Sequence, residues 1–358
     1  MISEVTFEQV AKRYDDFYPL RFQILVDGKD IQKEKSPEVT TVSFDETLDG
    51  SSHFSFSVND PKMELIDSTL FEAGKLVEIK MFSKEKAYSM ILGEIISLRP
   101  SFPTDGGPNI EVSGYDLLYQ FTRGAKNNTW EGPKKDSEVV EAILKGNQAR
   151  HKLKVHVEQT KVVYPKIIQD NETDFAFMRR LADRNFFEFY LERDEVYFCP
   201  PKIKSPIMTL EYGKGLLSFT PELNTADQVS EVVVRGWDPN TKKEIVATAK
   251  NQKSPQGQSG GEAVAKIYGK VETRVTSMPI TSQQEADILA KSILNKKSVG
   301  LVRGNAECIG IPEIRAGRII NLTGLGKNFS QKYFIEKTTH NISSSGYSTT
   351  FAVRGDII

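Results

Sequence analysis

Cysteine and histidine are scarce in this chain of 358 residues, with two of the first and four of the second. Cys199 and Cys308 stand far apart, each inside an apolar stretch, so no disulfide framework can be read from them. They read as reduced core residues of a protein made in the cytoplasm. His53, His151, His156 and His340 are scattered. His151 and His156 are five apart, on opposite faces of a strand and off any shared helical face. No His, Cys and carboxylate spacing suits zinc, and neither a metal nor a cofactor is expected. A surplus of one charge is missing too: 47 Lys and Arg stand against 48 Asp and Glu, a net charge of -1. That balance removes the electrostatic reason for binding nucleic acid or an anionic membrane. No apolar run approaches the roughly 20 residues that span a bilayer. The opening Met1–Thr6 lacks the basic and apolar regions of a secretory signal.

Catalytic signatures are equally thin. The stretch 257–261 has glycines but no Gly-Lys-Ser/Thr ending that would cradle a phosphate. No Gly-x-Ser-x-Gly elbow is present, and no Ser, His and Asp order suggests a triad. Glu172 with Asp174, or Glu192 with Asp194, could imitate a glycosidase pair. Carboxylates at helix caps and turns explain them more simply, so no enzyme is expected. Trp130 and Trp237 read as anchors of a domain junction and a barrel rather than ligand platforms.

What is present is β texture. Hydrophobic residues at 39% and charged residues at 27% fit an ordinary folded protein, and the length allows two or three domains. Thr6 with Gln9 forms a capping box. Phe7, Val10, Ala11 and Tyr14 follow at helical spacing, and Tyr18-Pro19 stops the helix. From Phe22 the period becomes two: Phe22-x-Ile24-x-Val26, Thr41–Phe44, Phe54–Val58, Leu76–Phe82, Ser89–Ile95 and Asn109–Gly114. Six short strands punctuated by Gly, Pro and Asp predict an antiparallel barrel or sandwich.

The texture mixes between about 124 and 225. Asp136 opens a helix carrying Val139, Val140, Ile143 and Leu144, and Thr173 opens another with Phe175, Met178, Leu181 and Ala182 on one face. A hairpin around Arg193-Asp194 follows, which predicts a small α+β domain. Strands return at Glu231–Trp237. The Gln-, Ser- and Gly-rich stretch 251–261 predicts a mobile loop, because it lacks apolar residues to offset its ordering entropy. Ser282 with Glu285 caps a helix, and strands finish the chain. The fold class is mainly β with an α+β part. It divides into a helical extension over 1–19, a first barrel over 20–123, an α+β domain over 124–225 and a second barrel over 226–358.

One internal echo stands out. Phe71-Glu72-Ala73-Gly74-Lys75-Leu76-Val77-Glu78-Ile79 and Ile314-Arg315-Ala316-Gly317-Arg318-Ile319-Ile320-Asn321-Leu322 share one pattern. An apolar residue, Ala-Gly and a basic residue precede alternating aliphatics. A glycine that turns the chain sharply before a strand suits both, and the echo predicts a duplicated barrel.

Four stretches also resemble a known family. They are Phe71 and Gly74 through Val112-x-Gly114-Tyr115-Asp116; Trp130-Glu131-Gly132; Gln169 through Asp174-Phe175, Arg180-Leu181 and Phe187-x-Phe189-Tyr190; and Val234-Arg235-Gly236-Trp237-Asp238. Gly317, Gly324, Tyr333, His340, Gly346 and Tyr347 continue the likeness to the C-terminus. Together they resemble the phage late-control protein D family, whose relatives include VgrG-type proteins and baseplate hubs of contractile tails. The resemblance implies a homotrimeric ring, with two similar barrels per copy giving pseudo-sixfold symmetry. Such a ring joins inner tube proteins to a central spike protein, among other baseplate proteins, in a particle that is released or membrane-anchored. Two other readings remain open: a VgrG-type effector carrier, if the natural gene runs past Ile358 into a spike, and a cell-wall-cleaving baseplate enzyme.

Overall fold

The computed structural model describes residues 7–13, 21–82, 87–146, 151, 153–201, 205–238, 241–251, 259–276, 280 and 282–357. Seven strands come first: β1 (Arg21–Val26), β2 (Lys29–Asp30), β3 (Glu38–Thr47), β4 (His53–Asn59), β5 (Leu76–Phe82), β6 (Ala87–Ser101) and β7 (Asn109–Asp116). Their alternation is that of a half-buried sheet: β4 and β7 bury every second residue along their length. The buried face gathers Ile24, Val42, Phe44, Phe54, Phe56, Phe71, Val77, Ile79 and Val112 into one core.

A mixed unit follows. β8 (Lys126–Lys135) pairs with β10 (Val163–Glu172), while β9 (Lys154–Val157), β11 (Glu188–Glu192) and β12 (Glu195–Cys199) form a second small sheet. Helices Asp136–Gly146 and Asp174–Asn185 pack on them through Val139, Val140, Phe177 and Leu181. Thr173 caps the second helix by accepting from Ala176 N–H at 3.1 Å, and Phe186 ends it in a left-handed conformation.

The chain then builds a closed barrel of six strands: β13 (Thr209–Tyr212), β14 (Gly215–Leu223), β18 (Val302–Ile309), β19 (Ile319–Thr323), β20 (Gln331–Ser343) and β21 (Gly346–Gly355). Side chains fill its interior, among them Leu210, Leu216, Cys308, Ile320, Tyr333, Ile335 and Phe351, so the barrel is a packed core and not a pore. Its first two strands precede residue 226. They escape a reading by alternation because β13 is only four residues and β14 carries a bulge between Leu216 and Ser218. Between β14 and β18 lies an insertion with its own core. Here β15 (Glu231–Asp238) sits between β16 (Lys243–Lys250) and β17 (Glu272–Val275), and helix Gln283–Ser298 covers one face.

The two β parts are copies of one arrangement. In chain order the first uses β1, β3, β4, β5, β6 and β7, and the second β13, β14, β18, β19, β20 and β21. Hydrogen bonding places them as β1-β5-β6-β7-β4-β3 and β13-β19-β20-β21-β18-β14. The echo segments occupy equivalent places. Gly74 and Gly317 both have φ near +80°, at 88° and 78°. Gly74 donates to Ile95 O at 2.8 Å and Ile95 donates to Lys75 O at 2.9 Å; Gly317 donates to Ile335 O and Ile335 to Arg318 O, both at 2.9 Å. A bulge follows each isoleucine, between Ile95 and Ser97 and between Ile335 and Lys337. The copies differ in their first strand, antiparallel to its neighbour in β1 and β5 but parallel in β13 and β19. They also differ in closure. β13 pairs with β14, whereas β3 pairs with β20 of the other copy, which runs the two into one sheet of 13 strands.

Some sequence expectations do not hold. Ser259, Gly260 and Gly261, read as part of a mobile loop, begin helix Gly260–Tyr268 with a full capping box from Ser259 to Glu262. Both glycines are buried there, and a Cβ would fall 2.1 Å from Gln228 Oε1 at Gly260 and 1.5 Å from Asn251 Nδ2 at Gly261. The rest of that loop, 252–258, lies outside the described residues, as do Thr6 and Tyr14. Neither aliphatic run lies on a bare edge: Val232–Val234 pair with both β16 and β17, and Ile319–Ile320 pair with β20 while Ile319 O accepts from Ile207 N–H at 2.8 Å on the other side.

Candidate functional site

A group of buried polar side chains, including His340, Thr338, Thr349 and Asp116, lies where the two copies join. β3 and β20 pair from Val42 against Ile342 to Thr47 against Lys337. On the buried face of this seam the His340 ring stacks on Phe44, with centroids 4.5 Å apart. Its Nε2 lies 2.9 Å from Ile314 O, while Nδ1 lies 2.7 Å from the Tyr347 hydroxyl and 3.0 Å from Thr349 Oγ1. Burial, with the Arg315 charge nearby, lowers the His340 pKa to about 3, so the ring is neutral. Burial likewise pushes the Tyr347 hydroxyl well above its ordinary value.

Arg315, in the turn that repeats the echo, crosses the seam. Its Nε donates to Glu46 Oε2 at 2.6 Å, and its second terminal nitrogen pairs with Oε1. The same guanidinium donates to Ser89 O at 3.2 Å and Met90 O at 2.7 Å in β6. One side chain of the second copy thus grips two strands of the first. The Glu46 carboxylate also accepts from Ala316 N–H at 3.2 Å.

Above the seam a cavity of about 320 Å³ opens beneath the β11–β12 turn, lined by Glu46, Ser52, Asp116, Glu192, Arg315 and Arg318. Asp116 ends β7 and caps the next turn. It accepts from Ser52 N–H at 2.7 Å and from Leu118 N–H at 3.0 Å, while its own N–H donates to Ser52 O at 2.8 Å. Burial outweighs these bonds and raises its pKa to about 7. The mixed unit is tied down around the cavity: Arg318 to Glu192 at 2.9 Å, Arg193 to Glu78 at 3.1 Å, and Arg179 to Leu48 O and Asp49 at 2.6 Å each. His151 pairs with Glu94 on β6, and His156 lies 3.2 Å from Glu195. Among the described residues, no three His, Cys, Asp or Glu side chains are grouped to hold a metal ion.

Of the residues singled out in sequence, His340, Tyr347, Gly317 and Asp116 come together at the seam and its cavity. The others are spread. Trp130 stacks on Phe177 at 5.2 Å, Phe175 meets Phe189 at 5.7 Å, and Leu181 is buried in the mixed unit. Asp174 is buried, bonded by Gln169 and paired with Lys126; Arg180 clamps Glu172 through several donors. Phe71 meets Phe56 edge-on in the first core, and Tyr333 donates to Phe329 O at 2.9 Å in the second. Gly324 and Gly346 take positive φ in turns. A Cβ on Gly236 would fall 2.6 Å from Ile280. Trp237 departs from its reading as an anchor: it is 56% exposed on the outer face of β15, opposite the face that helix Gln283–Ser298 covers. Sequence reading missed Arg315 and Glu46, whose partnership spans 269 residues.

Comparisons place this architecture. A Shewanella oneidensis prophage MuSo2 tail protein of 43 kDa superposes with a TM-score of 0.70 at 12% identity, over 93% of this chain and 98% of that one. A tail protein from Neisseria meningitidis MC58 gives 0.69 at 15% identity, over 95% and 97%. An E. coli component of the type VI secretion system, described as similar to T4 bacteriophage tail proteins, gives 0.57 at 13% identity, over 92% and 76%. The fold is that of these tail proteins. No curated protein matches the sequence. The family model described as the Alg8 N-terminal domain matches residues 18–344, and the chain belongs to that family.

Proposed function

We propose that this chain is a structural part of a phage-tail-like contractile particle: the central hub of its baseplate, with three copies in a ring about the particle axis. The duplicated six-stranded unit carries the reading. Three chains with two equivalent units each offer six similar surfaces on one side of a ring while keeping three whole chains on the other. Such a ring joins a sixfold inner tube to a threefold central spike, with other baseplate proteins around it. The resemblance to late-control protein D and VgrG-type hubs supports this, as does the fold shared with tail proteins. The filled barrel interior argues that any conduit runs between copies and not through a barrel. The reading assigns the chain no catalytic step and no cofactor. Glu172 and Glu192 are each held by an arginine, and Asp174 and Asp194 by lysines. Electron microscopy of the isolated particle with this chain labelled tests it. Three copies on the axis between tube and spike are expected; six copies, or an off-axis position, overturn the reading.

A further inference from the structure

The internal duplication fixes what a contact between copies of the chain looks like if it repeats the contact within one chain. Inside the chain, the second strand of the first unit, β3, lies along the far half of the fifth strand of the second unit, β20. The converse pair is β14, second strand of the second unit, and β6, fifth strand of the first. Both have the required edge free among the described residues. β5 follows β6 only as far as Glu94, leaving Ser97–Ser101 paired with β7 alone and Phe102 just past the end of the strand. β13 covers β14 only at Gly215 and Leu216, leaving Phe219–Leu223 paired with β18 alone, while Asn224 just beyond donates to Leu301 O at 2.9 Å.

The pairings give the register. Ile95 faces Gly114, which faces Phe54, which faces Phe44; Ile335 faces Val353, which faces Gly304, which faces Pro221. Ile95 therefore matches Ile335, and Phe44 matches Pro221. The bulge between Val39 and Thr41 in β3 then falls on that between Leu216 and Ser218 in β14, an independent agreement. Carried over in this register, the seam sets Leu98 against Leu223, Pro100 against Pro221 and Phe102 against Phe219. These positions share the face that holds His340 and Phe44 inside the chain. The opposite face sets Arg99 against Glu222 and Ser101 against Thr220. One face is wholly apolar and the other polar with opposite charges in register. Leu98, Phe102 and Leu223 are 43%, 61% and 44% exposed in the single chain.

We propose that Ser97–Ser101 of β6 and the following Phe102 in one copy lie antiparallel beside Phe219–Leu223 of β14 and the following Asn224 in the next, in the register of β20 and β3. The occupant of each edge is a second copy of this chain, and the proposal rests on the ring proposed above. The contact is head-to-tail, so it forms a ring when its rotation closes. Pro100 and Pro221 have no N–H, so the middle pair makes no backbone bond and the seam relies on its side chains and flanking pairs. The same prolines guard these edges against unrelated strands.

Disulfide trapping tests this on the assembled particle. Cβ atoms directly opposite across antiparallel strands lie about 4.5–5.5 Å apart, within reach of a disulfide once the backbone adjusts slightly. Arg99→Cys with Glu222→Cys should give oxidation-dependent oligomers of this chain that neither single variant gives. Charge exchange is the second arm. Arg99→Glu or Glu222→Arg alone should reduce incorporation into particles, and the two together should restore it. A threefold ring seen by microscopy without the cross-link, and without charge rescue, overturns the seam and leaves the hub reading intact. Absence of any ring overturns both.

Discussion

Arg315 and Glu46 form a paired contact across the junction of two copies of one fold unit, with Arg315 Nε donating to Glu46 Oε2 at 2.6 Å. Both side chains are largely shielded from water, so removing either leaves a charge without its partner. Arg315→Ala is expected to lower stability by about 3 kcal/mol. Glu46→Gln, which keeps an acceptor, should cost less. Denaturant unfolding of purified protein checks the order of the two; an Arg315→Ala loss below that of Glu46→Gln contradicts it.

Asp116 makes stability fall with rising pH. Its folded pKa is raised to about 7 from an ordinary 3.8. The folded state therefore holds a proton between pH 4 and 7 that the unfolded chain has released. The stability linked to that proton is fully present below pH 4 and lost as pH rises through 7, by at most about 1.4 kcal/mol per unit. Asp116→Asn should flatten this slope and gain on the native protein as pH goes from 5 to 8. Melting curves across that range read the difference.

His340 has the opposite sign. Its pKa is lowered to about 3 from 6.5, so below pH 6.5 the unfolded chain takes up a proton that the folded chain refuses. Its contribution is present above pH 6.5 and is lost as pH falls toward 3. His340→Gln should be less stable at pH 7, having lost the stack on Phe44, yet show a shallower decline on acidification. Parallel acid-unfolding curves for the two proteins would contradict this.

Glycine substitutions should separate conformation from space. Gly317 has φ of 78°, and a Cβ there meets only Leu48 at an ordinary 3.6 Å. Gly317→Ala should therefore cost about 1–2 kcal/mol, the price of a left-handed alanine. A Cβ on Gly114 would lie 1.8 Å from Glu94 O and 2.7 Å from the Phe54 ring. Gly114→Ala should cost more than Gly317→Ala, since β6 and β7 must separate to admit it. Thermal melts of the two variants rank the costs.

Much of the fold was legible because its determinants are local. The alternation in β4, β5 and β7 shows in the chain itself. So does the Ala-Gly-basic echo, since a left-handed turn before a strand needs glycine wherever it recurs. The caps at Thr173 and Ser282 are also short-range. Helix Gly260–Tyr268 was not legible. Its Gly-Gly start resembles loop composition, and only the packing of Gln228 and Asn251 explains those glycines.

The candidate site divides in the same way. His340, Tyr347, Gly317 and Asp116 could be named from their stretches, but nothing local shows that they converge. Sequence by itself determined the alternating strands of the first unit, the glycine turns and the repetition of a unit, because each depends on neighbours a few residues away, whereas the short β13 and the bulged β14 did not show. Tertiary structure alone decided that one unit closes as a barrel while the other gives β3 to β20. It also decided that Arg315 finds Glu46 and that Trp237 faces outward. These outcomes depend on which distant surfaces meet when the cores form, and a contact across 269 residues leaves no periodic trace in the chain between.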